Sequence, residues 1–199
     1  PQQGGTSCRD ESSWSQNATS LEFEVIAEVN KVRILGGKCG DVVMPPQPPL
    51  AFDQLIRESA RCHAMDMAIN GPPDCGAADP IRCWHISSNG VSGLARIQSA
   101  GYDLAKTGFV GPGENGAIGY SRARDMVRAW LSDPPHCTPL FRPWTEAGVG
   151  SYNGYTFIDF SSPGCGDDIC LSYETCRICP EDCGTCPARC PNWVCEPGE

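Results

Sequence analysis

Thr145-Glu-Ala-Gly-Val-Gly-Ser-Tyr-Asn-Gly-Tyr-Thr-Phe-Ile-Asp-Phe160 is the stretch whose reading decides the fold. Asn153-Gly154 at its centre accepts positive φ at both positions of a two-residue type I′ turn, so the spacing predicts a β-hairpin with strands Glu146–Tyr152 and Tyr155–Phe160. The sequence before the hairpin supplies helices to cover it. Leu21, Val25, Val29 and Val32 recur at helical spacing behind Thr19 and Glu22, which have the form of a capping box, and Gly36-Gly37 ends that helix. Met44 to Pro49 reads as a rigid Pro-rich connector. A second helix is predicted from about Leu50 to Ile69, with Ile56, Ala60, His63 and Met67 on one face and Asn70-Gly-Pro-Pro73 as the stop. A short helix follows from Val91 to about Ala100 and ends at Gly101. Another, from about Arg122 to Leu131, buries Ala123, Met126, Val127 and Trp130 until Pro134-Pro135 terminates it. Helices around an antiparallel sheet that contains a hairpin make an α+β fold, with the helices packed on the sheet faces.

Composition sets the compartment and excludes some partners. The chain has 199 residues, 40% of them hydrophobic, enough for one ordinary core and an appendage. Six of its 14 cysteines lie in residues 1–164 and eight in residues 165–199, where aliphatic side chains are almost absent. That tail cannot build a core and needs cross-links or ions. So many cysteines imply an oxidising compartment, and the expectation is an exported, extracellular protein whose targeting segment has been removed. No apolar run is long enough to span a bilayer. Asn17-Ala-Thr19 is a glycosylation sequon. The net charge of -9, to which the tail contributes seven acids against two basic residues, argues against nucleic acid and against anionic membrane surfaces.

Gly111-Pro-Gly-Glu-Asn-Gly-Ala-Ile-Gly-Tyr120 sets the carboxylate of Glu114 among glycines and reads as a site loop. Trp84-His85, Asp133-Pro-Pro-His136 and Glu146 supply further polar groups that the fold could bring to it. Two neutral imidazoles and a carboxylate match the donor set of many zinc sites. His63, on an apolar helix stripe, reads instead as a buried histidine satisfied by a hydrogen bond. Trp84 and Trp130 read as core or cleft wall. There is no Gly-x-Ser-x-Gly elbow and no cysteine expected to be free, so no activated nucleophile is in view.

The order of Leu50-Ala51-Phe52, Ala60-Arg-Cys-His-Ala-Met-Asp-Met-Ala68, Trp84-His85-Ile-Ser-Ser-Asn-Gly90, Ala100-Gly-Tyr102, Gly113-Glu-Asn115, Trp130 to His136 and Thr145-Glu-Ala-Gly-Val-Gly150 resembles the CAP superfamily of cysteine-rich secretory, antigen 5 and pathogenesis-related proteins, its bacterial branch most. The likeness covers roughly residues 20–160. It implies an α-β-α sandwich over residues 19–163, with residues 1–18 as an N-terminal extension and residues 164–199 as a Cys-rich repeat tail. It also implies an open cleft lined by two histidines and two acids, which binds a divalent cation in some members. By position these are His85, Glu114, His136 and, as the fourth, Asp133, with Glu146 as its rival. Here the shorter aspartate stands at the position of the animal branch's acid three residues after the helix tryptophan, where the pattern has glutamate, and Cys137-Thr-Pro139 follows His136 where members usually continue with Arg or Phe-Thr.

The tail repeats itself. Cys165-Gly-Asp-Asp-Ile-Cys170 recurs as Cys190-Pro-Asn-Trp-Val-Cys195, with Asp167 matched by Asn192 and Glu174 by Glu199. It is similar to Cys-rich Gly-Asp-Gly-type repeats of exported bacterial proteins. Asp167, Asp168, Glu174, Asn192 and Glu199 offer hard oxygen donors for calcium, and disulfides are expected among the cysteines. Three function classes follow. The first is a secreted binding module for a surface component, lipid or partner protein, with the tail as a spacer. The second is a metal-dependent hydrolase, with a cation on His85 and His136 and Glu114 as general base. The third is a structural subunit that self-assembles through its tail.

Overall fold

A computed structural model describes residues 8–74, 83–102, 113–162 and 183–184. In chain order it contains α1 (Gln16–Arg33), β1 (Gly37–Cys39), β2 (Val42–Met44), β3 (Ala51–Phe52) and α2 (Gln54–Asn70). Then come α3 (Gly93–Ser99), β4 (Gly113–Ile118), α4 (Ala123–Ser132), α5 (Pro134–Leu140), β5 (Glu146–Tyr152) and β6 (Tyr155–Ser161). The expected hairpin is β5–β6. Tyr152 faces Tyr155 across Asn153 and Gly154, whose φ angles of 45° and 84° are those a type I′ turn demands.

Among the described residues the main sheet runs β3-β5-β6-β4, antiparallel except for the short parallel pair β3–β5. Alternation along the strands sends two sets of side chains to opposite faces. Ala147, Val149, Ile158 and Phe160 pack on one face against Val25 and Val29 of α1 and Met126, Val127 and Trp130 of α4. Phe157 packs on the other against Ala60, Ala64 and Met67 of α2, while Ile56 of α2 meets Ile97 of α3. The result is the expected α-β-α sandwich. α2 lies so close to the sheet that a Cβ on Gly148 would stand 2.0 Å from the Arg57 nitrogen, and one on Gly150 2.1 Å from that of Arg61.

Buried charges tie the layers together. Glu22 of α1 accepts from Arg57 Nη2 at 2.7 Å, Arg61 Nη2 at 2.8 Å and the Ser151 N–H at 3.1 Å, joining both helical layers to β5. Arg33, fully buried, donates to the carbonyls of Pro48, Leu140, Arg142 and Trp144 at 2.6–3.0 Å. Burial pushes its pKa down to about 10. Disulfides join Cys8 to Cys62 and Cys39 to Cys137, and Cys83 and Cys183 are also disulfide-bonded.

Several boundaries differ from the sequence reading, each for a physical reason. α1 begins at Gln16 because Ser15, not Thr19, caps it, accepting from the Ala18 N–H at 3.1 Å. Thr19 and Glu22 turn instead to Arg61. α2 begins at Gln54 rather than Leu50, since Asp53 caps it and Ala51-Phe52 pair with β5. Pro134-Pro135 does end α4, yet its fixed φ also starts α5 at the next turn. The site loop expected at Gly111–Tyr120 is, over Gly113–Ile118, the strand β4, held by six register partners on β6. Gly116 serves that strand by leaving room for Phe157, whose ring would stand 2.8 Å from a Cβ there. The tail repeats, with Asp167, Asp168, Glu174, Asn192 and Glu199, lie outside the described residues, as do Gly111 and Pro112.

Candidate functional site

Glu114 and Asp159 are cross-strand partners on β4 and β6 and face the α2 layer together. Glu114 is the hub of the site. Its Oε1 lies 2.6 Å from His85 Nδ1, and its Oε2 is bound by Arg96 of α3. A carboxylate can only accept, so His85 holds its proton on Nδ1. Arg96 also donates through Nη1 to the carbonyls of His85 and Val91 at 3.2 Å and 3.3 Å. One guanidinium thus fastens the segment 85–96 to β4.

Beneath Glu114 the side chains of Ser59, His63 and Asp159 are buried. Burial pushes both carboxyls up, with Arg96 opposing the rise at Glu114. Asp159 goes well above the usual carboxylate range, because the Glu114 charge adds to its burial. Its Oδ2 accepts from Ser59 at 2.8 Å, and its carboxyl faces that of Glu114 across the strands. Two acids share one guanidinium here, and the upward push is the greater at Asp159. His63 of α2 completes the layer. Its Nε2 donates to the Trp84 carbonyl at 2.8 Å and stands 3.7 Å from Glu114 Oε1, and its ring packs on Phe157 with centroids 4.2 Å apart. Burial, then the Arg96 charge, pushes its pKa down to about 3, so it is neutral.

On the opposite side of β4, Asn115 donates to the His136 carbonyl at 2.8 Å and seats α5 against the strand. His136 turns Nδ1 to Asp133 Oδ2 at 2.5 Å. His85 and His136 then line one cleft of about 300 Å³ with Trp84, Gly116, Ala117, Ile118 and Phe157. Most of that lining is apolar.

The structure therefore gathers His85 and Glu114 into one cluster, places His136 and Asp133 across the cleft, and leaves Glu146 elsewhere. Glu146 accepts from the Tyr102 hydroxyl at 2.7 Å, and burial together with that carboxylate raises the Tyr102 pKa. Among the described residues no three His, Cys, Asp or Glu side chains converge where an ion could sit. Both oxygens of Glu114, expected as a ligand, are engaged internally.

Arg96, Asp159 and Ser59 were not foreseen from the sequence, and His63 was placed only as a core residue. An acid inside the apolar run Phe157-Ile158-Asp159-Phe160 is the signal that could have revealed Asp159, since such a residue is buried only with partners. Arg96 carries no such mark.

A sequence profile of the cysteine-rich secretory protein family, CAP, matches residues 26–160. The chain belongs to that family. Two solved bacterial structures share the CAP fold. An extracellular protein containing an SCP domain from Bacillus anthracis str. Ames aligns with a TM-score of 0.57 and 21% identity, over 77% of this chain and 44% of its own. A cysteine-rich secretory protein from Staphylococcus aureus subsp. aureus Mu50 aligns with a TM-score of 0.50 and 12% identity, over 75% and 40%. This chain spans less than half the length of either. No curated protein sequence matches it. No helix among the described residues is long and apolar enough to cross a membrane.

Proposed function

We propose that this CAP domain is an exported binding module whose cleft between His85 and His136 receives a group from a surface component, lipid or partner protein. The observation that carries the reading is the state of Glu114: one oxygen is held by His85 and the other by Arg96, so the acid works as a clamp behind an apolar cleft. A general base needs a lone pair directed at substrate, and this carboxylate spends its oxygens on the wall. The fold itself assigns no function, which is why the site has to decide. The family match and the extracellular description of one solved relative support export.

Retention of the purified chain on isolated cell envelopes and on phosphatidylcholine vesicles tests this, with Ile118→Arg as the probe of the cleft. Ile118 is 48% exposed and lines the cleft, so the charge can be introduced without disturbing the core. Retention on at least one surface is expected, and Ile118→Arg is expected to lose it with an unchanged circular dichroism spectrum. Equal retention by the variant would overturn the cleft as the binding site. A hydrolytic activity lost in both His85→Ala and Glu114→Gln, and dependent on added zinc, would overturn the binding-module reading.

A further inference from the structure

Among the described residues β4 is an edge strand, hydrogen-bonded to β6 on one side only. The register tells which of its main-chain groups face away. The Gly119 N–H donates to the Gly154 carbonyl at 2.9 Å, so by the two-residue alternation of an antiparallel ladder Ala117 and Asn115 also bond to β6. Glu114, Gly116 and Ile118 therefore direct their N–H and C=O groups outward. Trp130 agrees with this assignment, since its indole N–H reaches the Gly116 carbonyl from outside the sheet at 2.9 Å. The Gly116 N–H and both main-chain groups of Ile118 have no hydrogen-bond partner among the described residues.

These groups open into the cleft. Gly116, Ala117 and Ile118 form its floor, Trp84, His85 and Phe157 stand on the α2 side, and His136 stands on the α5 side. An exposed strand edge is a hazard that proteins usually cover, charge or shorten. Here the edge is kept, with small residues at Gly116 and Ala117, between Trp84 and His85 on one side and His136 on the other.

The geometry points to an extended polypeptide segment of a partner as the occupant, docking along β4 as an added strand between His85 and His136. This deepens, and rests on, the reading of the cleft as a binding site. Main-chain chemistry favours a peptide over a lipid chain. An alkyl chain would dehydrate the Gly116 N–H and the Ile118 N–H and C=O and leave them unpaired, a cost that a strand's own donors and acceptors avoid. A strand offers donors and acceptors at the same two-residue repeat, roughly 6.8 Å. Its alternate side chains would then fall toward Trp84 and Phe157 or toward His136, so apolar residues at every second position are the expected preference.

Panning phage-displayed random heptapeptides on the full chain supplies the probe, and the best binder is then synthesised with each amide N-methylated in turn. Affinity should fall at least about tenfold at alternate positions and stay near the parent value at those between. On the protein side, Ile118→Pro deletes an outward N–H at an edge position, where proline is tolerated, without removing a bond to β6. It should weaken binding at least about tenfold, whereas Ile118→Val should leave it within about twofold. Should Ile118→Pro fail to fold, the N-methyl scan on the unaltered protein decides alone. A flat scan with peptides that Ile118→Arg still abolishes would overturn strand addition while leaving the cleft as the binding site. Failure to select any peptide sensitive to Ile118→Arg would overturn it as well, and the envelope and vesicle assay would then judge the cleft separately.

Discussion

At the scale of single residues, the site is governed by how few charges are shared among many buried groups. Arg96 is the counterion of Glu114, and removing one partner of a buried pair leaves the other uncompensated. Arg96→Met is expected to destabilise the fold by about 3 kcal/mol in urea titration, and the double variant with Glu114→Gln to lose less than Arg96→Met alone. The titrating groups act in opposite directions. The unfolded chain protonates His63 below pH 6.5 and the folded chain resists it down to about 3. The stability from His63 is therefore complete above 6.5 and falls as pH drops through that window. Asp159 keeps its proton well above 3.8 in the folded chain. Its contribution is greatest in acid and is lost as pH rises through its folded pKa. Asp159→Asn retains an acceptor for Ser59 without the charge. Thermal melts should show it more stable than the parent near neutral pH, by roughly 2–4 °C for each kcal/mol regained, with the gain gone near pH 4. His85, Glu114, His136 and Asp133 were legible in the sequence only through the order of short motifs that the family shares. Their partners were not, because Arg96 and Asp159 gain meaning only when α3 and β6 meet β4.

At the scale of elements, what is local was readable and what is paired at a distance was not. The β5–β6 hairpin follows from Asn153-Gly154 and the strands beside it, and it forms with the expected bounds to within one residue. The strand β4 had no such local signature. Its glycines suggest a loop, and only pairing with β6 makes the segment extended. α5 was hidden for a similar reason, since two prolines that end one helix can open the next. The close seating of α2 on β5 is the element-level contact most exposed to test. Gly150→Ala would drive a methyl into the backbone of α2, and a loss of about 3 kcal/mol or more is expected from chemical denaturation.

At the scale of the whole molecule, an α+β fold with helices on the sheet faces was legible in the periodicity and the hairpin, while the α-β-α sandwich came only with the family resemblance. Covalent links then join elements that are far apart in the chain. Cys39–Cys137 closes 98 residues and fastens α5, with His136, to the β1–β2 hairpin. Replacing both cysteines by serine should cost about 4 kcal/mol in denaturant without reductant, and should broaden the His136 signals in nuclear magnetic resonance spectra. The account as a whole depends on two imidazoles set across one cleft by carboxylates, with a third buried behind them. The chain has three histidines, so long-range proton–nitrogen spectra of histidine-labelled protein can report each ring. At neutral pH, the account predicts Nδ1–H tautomers for His85 and His136 and an Nε2–H tautomer for His63 that does not titrate until about pH 3. An Nε2–H or rapidly averaged His85, or a His63 that protonates near 6.5, would contradict it.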